Sequence, residues 1–258
     1  MKRALPGPTK TFTGGTAGSL IWTEAEIPYG GAALKGFFFV LTGTDFDVDS
    51  LTRIRVFADS KEIIRVDELQ YAQWYSTIGK RALMAAAETR FEILFDFANL
   101  ACAAPEGKPL RVQIDYDNTS AGACTAQLNY ILGDQESNCW MQLLSTAMNI
   151  AASQTTPVSF PISAQGTLRG IVLPDVADIT SCKLFVGEAL IADLVSGAAI
   201  LAVQDYYSGV DTDSGAKLYI LETPLPIVPG TRIELTTGAG FVGATGELTI
   251  WTENGQGS

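Results

Sequence analysis

The chain has 258 residues, 47% of them hydrophobic, and a formal net charge of −11. That length suits two domains of roughly 130 residues each, and the apolar content excludes a disordered chain. The acidity argues against sequence-specific nucleic-acid binding, which needs clustered Lys and Arg. Histidine is absent altogether. With it go the commonest general base, the commonest zinc ligand and every Ser-His or Cys-His arrangement, so neither an enzyme nor a cofactor is expected.

Lys2, Arg3 and Lys10 precede the first acidic residue, Glu24, so the first 23 residues carry +3 and the remainder −14. Pro6, Gly7, Pro8, Gly14 and Gly15 lie among them, a composition that resists regular structure. Residues 1–15 are therefore expected to form a flexible basic tail, able to touch an anionic surface such as lipid headgroups. An ordinary frayed terminus is the alternative. No apolar core follows Lys2 and Arg3, so a secretory signal is not expected.

Short β-branched or aromatic runs bounded by turn residues then follow at 20–23, 36–41, 54–57 and 91–95, as strands do. Asp45, Asp47 and Asp49 form a D-x-D-x-D run, but Ser50 and Val56 stand where a calcium loop needs Gly and Glu. A solvated acidic turn is the reading, with a weak cation site as the alternative. Helices are expected at 67–78, opened by an Asp cap, at the alanine-rich 81–89, and at 196–207 after Ser196. Residues 111–117 alternate with period two, and Asp115 and Asp117 on one strand face read as a polar outer surface rather than a catalytic pair.

Residues 137–168 hold no charge, but Asn138, Gln142, Asn149, Gln154, Pro157 and Pro161 break the run. It thus lacks the roughly 20 continuous apolar residues of a membrane span. Burial between domains or subunits is expected instead, with Trp140, Leu143 and Leu144 as interface candidates. Cys102, Cys124, Cys139 and Cys182 show no metal-ligand spacing and read as reduced, buried thiols. Trp22, Trp74, Trp140 and Trp251 read as core or subunit contacts rather than a sugar platform.

The chain also resembles itself. Leu34-Lys35-Gly36-Phe37 matches Leu168-Arg169-Gly170-Ile171, and Arg55-Val56-Phe57 matches Lys183-Leu184-Phe185. A polar turn and an apolar strand follow in both halves, Ile63-Ile64 against Leu190-Ile191. Next comes a helix ending in Trp74-Tyr75 or Tyr206-Tyr207. Residues 91–95 then align with 217–221, and Val112-Gln113-Ile114 with Leu248-Thr249-Ile250. The matches are collinear, so a tandem duplication is expected. Many short strands with Gly and Pro turns imply an all-β protein of two tandem jelly-roll β-sandwich domains with short helical insertions. The domains would run from 16 to 133 and from 134 to 258.

Residues 39–44 leading into 54–63, their counterpart 182–190, and Trp140-Met141, Thr155-Thr156 and Leu168-Arg169-Gly170-Ile171 complete a recognisable layout. It resembles the double jelly-roll major capsid proteins of icosahedral, membrane-containing phages, the lineage of corticoviruses, tectiviruses and adenovirus hexons. The resemblance implies two jelly rolls standing perpendicular to a capsid surface and a homotrimer of pseudo-sixfold outline that tiles a lattice. It also implies other capsid and penton proteins as partners, and assembly in the host cytoplasm. The termini would face an internal lipid membrane, giving Lys2, Arg3 and Lys10 a target. A two-domain carbohydrate-binding or adhesin protein is the competing function.

Overall fold

Prolines and glycines at the start of the chain do not prevent a strand; they shape its edge. In the structure, a computed structural model, β1 (Lys2–Thr13) pairs antiparallel with β9 (Ala123–Gly133) from Lys2↔Gly133 to Thr13↔Ala123. The ladder shifts between Pro6 and Thr9. A proline cannot donate to a ladder, so Pro6 and Pro8 are confined to such an edge strand. At Gly7 a Cβ would come within 2.4 Å of the Leu128 carbonyl oxygen, so only glycine allows this approach. The expectation of a flexible tail is thereby corrected: alternation of side chains and a partner strand outweigh local composition.

The structure describes residues 2–27, 34–44, 46–47, 50–67, 89–95, 102–118, 122–133, 139–152, 156–173, 179–194, 217–239 and 244–255. The helices expected at 67–78, 81–89 and 196–207 lie outside these residues, save at two ends. Asp67 is the last residue of a strand and Thr89 precedes one. The acids Asp45 and Asp49 and the aromatic residues Trp74, Tyr75, Tyr206 and Tyr207 also lie outside.

Two compact units emerge. The first comprises residues 1–68, 82–142 and 254–258, and the second is built on 143–253. The division falls at 142 rather than at 133, and the chain's last residues return to the first unit. Besides β1 and β9, the first unit contains β2 (Thr16–Trp22), β3 (Leu34–Thr42), β4 (Leu51–Ala58), β5 (Lys61–Asp67), β6 (Arg90–Leu94), the short β7 (Cys102–Ala103) and β8 (Leu110–Asn118). Its two sheets have the orders β1-β9-β3-β6 and β5-β4-β8-β2. The second unit contains β10 (Cys139–Ile150, its first four residues belonging to the first unit), β11 (Val158–Pro161), β12 (Thr167–Leu173), β13 (Ile179–Val186), β14 (Ala189–Leu194), β15 (Lys217–Pro226), β16 (Arg232–Thr237) and β17 (Ala244–Gly255, its last two residues belonging to the first unit). Its orders are β10-β17-β12-β15 and β14-β13-β16-β11. With β7 set aside, the two units have one topology: first, eighth, third and sixth strands in one sheet, fifth, fourth, seventh and second in the other. Eight antiparallel strands so connected are a jelly roll, and the chain contains it twice.

The cores differ in material. Trp22, Phe37, Phe39, Phe46 and Phe95 are fully buried in the first unit, with Trp22 edge-to-face on Phe39 at 5.4 Å and Phe37 edge-to-face on Phe95 at 5.7 Å. Burial of each such side chain stabilises by about 1.5–3 kcal/mol. The second core is mostly aliphatic, around Met148, Ile150, Leu168, Ile171, Leu184, Ile233, Leu235 and Leu248.

The shared topology also corrects one sequence match. Val112-Gln113-Ile114 lies in β8, a seventh strand, whereas Leu248-Thr249-Ile250 lies in β17, an eighth strand. The counterpart of β8 is β16. A three-residue apolar-polar-apolar run fits any half-buried strand and cannot tell neighbours apart.

Candidate functional site

The fourth and fifth strands of each unit form a hairpin whose details repeat at a constant offset of 128, from Phe57 to Phe185 and from Ile63 to Ile191. Asp59 at one tip has φ 54° and Gly187 at the other φ 59°, so both tips turn through the left-handed region. Both ladders then carry the same bulge. Val56 pairs with Ile64 and Phe57 with Glu62, leaving Ile63 extra; Leu184 pairs with Ala192 and Phe185 with Leu190, leaving Ile191 extra. Ile63 is therefore equivalent to Ile191, one residue away from the match read in the sequence, because the bulge hides the true register.

Each hairpin is held from the strand beside it. The Arg111 guanidinium lies 4.0 Å from the Phe57 ring centre, and that of Arg232 lies 4.1 Å from Phe185. Phe57 is opposite Arg111, and Phe185 opposite Arg232, in the two ladders. Asp59 N donates to the Pro109 carbonyl (2.9 Å), and Arg232 Nη1 to that of Gly187 (3.0 Å). Sequence reading missed these arginines. The sole signal was their place in the seventh strand of each repeat.

The two hairpins differ in what lies against them. Ile63 is 1% exposed, and in the first unit Trp140 lines the same small hollow as Ile63, Lys61 and Lys108. Lys61 and Lys108 place their ammonium groups 5.6 and 5.8 Å from the Trp140 ring centre. Trp140 Nε1 donates to the Gly255 carbonyl (3.1 Å), and Gln142 Nε2 to that of Glu62 (3.3 Å). Ile191 is 44% exposed and Leu190 48%.

Lys10 Nζ is bound to the Glu26 carboxylate, a bond that leads the causes holding Glu26 below the usual carboxylate range. Lys2 and Arg3 sit in β1 opposite Gly133 and Leu132. Trp140 and Leu143 are buried and Leu144 is half-buried. The uncharged 137–168 stretch is not uniformly covered, since Thr146, Ala147, Asn149 and Ser159 are exposed strand residues. Asp115 is half-buried. Burial raises its pKa, but hydrogen bonds from Ser19 and Gln113 and the charge of Arg55 outweigh it, so the net direction is down. Asp115 and Asp117 are thus part of a strand face, with Arg55 at 2.8 Å from Asp115. Burial pushes the Cys182 thiol up to about 12, which makes it unreactive. Among the described residues, no group of three His, Cys, Asp or Glu is placed to hold a metal. Trp22, Trp140 and Trp251 are all buried.

The sequence matches no protein-family model and no curated protein. Solved structures do match. The major capsid protein P2 of bacteriophage PM2 superposes with a TM-score of 0.74 at 12% identity, over 100% of this chain and 98% of that one. The STIV major capsid protein gives 0.71 at 11% identity, over 100% and 97%. The PBCV-1 virus capsid gives 0.61 at 12%, over 98% and 93%. The fold is the double jelly roll of viral major capsid proteins. Identities this low carry the double jelly roll and no individual residue.

Proposed function

We propose that this chain is a major capsid protein, whose trimers of pseudo-hexagonal outline tile an icosahedral shell. The observation that carries the reading is the repetition of one jelly roll within one chain, matched end to end by major capsid proteins. Two similar domains per chain give a trimer six similar corners, which a hexagonal lattice requires, while their differences keep the contacts directional. Burial of three tryptophans favours this over the carbohydrate-binding or adhesin reading, which needs exposed aromatic rings. Such a shell subunit would work without catalysis, beside other capsid and penton proteins, in the virion.

Light scattering on the purified chain tests the proposal. Three chain masses, with hexagonal outlines in negative-stain images, are the expected result; a strict monomer at high concentration overturns it. Leu144, half-buried, has surface left for a neighbour, and L144K is expected to impair assembly. An internal membrane remains part of the reading through β1. The Lys10 charge is already matched by Glu26, so attraction to anionic lipid rests on Lys2 and Arg3. Replacing both by Gln should weaken salt-sensitive binding of assembled trimers to anionic vesicles; unchanged binding removes the membrane role.

A further inference from the structure

We propose that the edge of β14 and the exposed Ile191 bulge dock against the β2 edge of a second copy, in a head-to-tail contact that repeats around the oligomer. This rests on the shell reading and names the surfaces that the shell subunit uses. Internal duplication supplies the argument. The same hairpin, with the same turn, bulge and arginine clamp, occurs twice. In the first unit its bulged isoleucine is covered, with residues 139–142 of the chain beside β5. In the second unit the chain provides no such cover among the described residues, and Leu190, Ile191 and the nearby Val228 stand exposed.

The choice of β2 as the surface that answers it comes from how the sheet edges are protected. Free edges invite pairing, and proteins blunt them with prolines, charges or short strands. β1 carries Lys2, Arg3, Pro6, Pro8 and Lys10. β6 has five residues with Arg90 and Glu92, and β11 four, ending in Pro161. β15 carries Lys217, Glu222, Pro224 and Pro226. Two edges lack these devices. β14 has one charge, Asp193, already answered by Lys183 at 3.7 Å. β2, Thr16-Ala17-Gly18-Ser19-Leu20-Ile21-Trp22, has neither charge nor proline and lies at the end of its sheet beside β8. Ile21, 40% exposed, is the one exposed large apolar side chain outside the β14 region among the described residues. The two edges are different surfaces of one chain, so their contact is heterologous, the kind that closes into rings when its rotation permits.

The test co-expresses I21C and I191C chains and treats them with a short bis-maleimide, beside each variant alone and the unsubstituted chain as blank. A cross-linked dimer in the mixture and in neither single variant is expected. I21K and I191K should each weaken self-association by at least about tenfold, because a lysine would be buried against an apolar neighbour. Oligomers of normal mass without the mixed cross-link, or a cross-link in I191C alone, overturn the β2 assignment and leave the shell reading intact. A monomeric unsubstituted chain overturns both.

Discussion

The β4–β5 hairpin and the β13–β14 hairpin begin from the same local chemistry and end in different environments. Both turn through a left-handed residue, both carry an extra isoleucine and both rest under an arginine. In one the isoleucine is 1% exposed, in the other 44%. Local sequence therefore sets the shape of the hairpin, while what lies beside it sets its role. One copy of the repeated motif is core and the other is surface.

The largest expected effect on that contrast comes from removing the cover. Trp140→Ala should cost about 3–5 kcal/mol, read as a fall in the denaturant midpoint at unchanged slope, because a buried indole and its bond to Gly255 are both lost. A loss below about 1 kcal/mol would show that Trp140 is not what closes the first hairpin. The direct comparison is between equivalent positions in dissociated chains. Ile63→Ala should cost about 2–5 kcal/mol and Ile191→Ala within about 0.5. Equal losses at the two positions would break the contrast.

Much of this was legible in advance, for reasons that differ by residue. The repeat showed because Leu34-Lys35-Gly36 and Leu168-Arg169-Gly170 both lie at the start of third strands and share a ladder shift, which constrains them alike. The hairpins showed through Arg55-Val56-Phe57 and Lys183-Leu184-Phe185. Their true register did not, since a bulge moves every later side chain by one place and no spacing announces it. The N-terminal strand was hidden for the opposite reason. Pro6 and Pro8 speak against a ladder locally, and the partner that overrides them lies over 100 residues away, at 123–133. The exposed Ile191 was unreadable in principle: its sequence neighbourhood is that of a buried strand.

Smaller effects sharpen the equivalence of the two tips. Gly187→Ala should cost about 1–2 kcal/mol, since its φ of 59° places a Cβ against the following carbonyl. Asp59→Gly should change stability by less than about 1 kcal/mol, because aspartate tolerates that region. Arg111→Ala and Arg232→Ala should each cost about 0.5–1 kcal/mol through the lost ring contact, measured by thermal unfolding. A large loss for one with none for the other would mean that the clamp is not a shared device. The smallest effect is acid sensitivity confined to the first unit. The Asp115 carboxyl is held below its ordinary 3.8, so its stabilisation is complete above that value and disappears as pH falls through the lowered one. Asp115→Asn should flatten the acid limb of a stability-against-pH curve, and an unchanged limb would remove Asp115 from the network with Ser19, Gln113 and Arg55.

The carbonyl of Gly255 that receives the Trp140 indole has a consequence for synthesis on the ribosome. One of the first unit's buried donors is satisfied by a residue translated 115 residues later, after the run 143–253. The first jelly roll cannot reach its finished state while the second is still emerging, so the usual order in which N-terminal domains fold ahead of their successors does not apply. Completion of the run 143–253 delivers the segment that locks the first unit. Emergence of the strand that carries Gly255 thus becomes the event that closes the tryptophan site, and a chain cut before it is left with that site open.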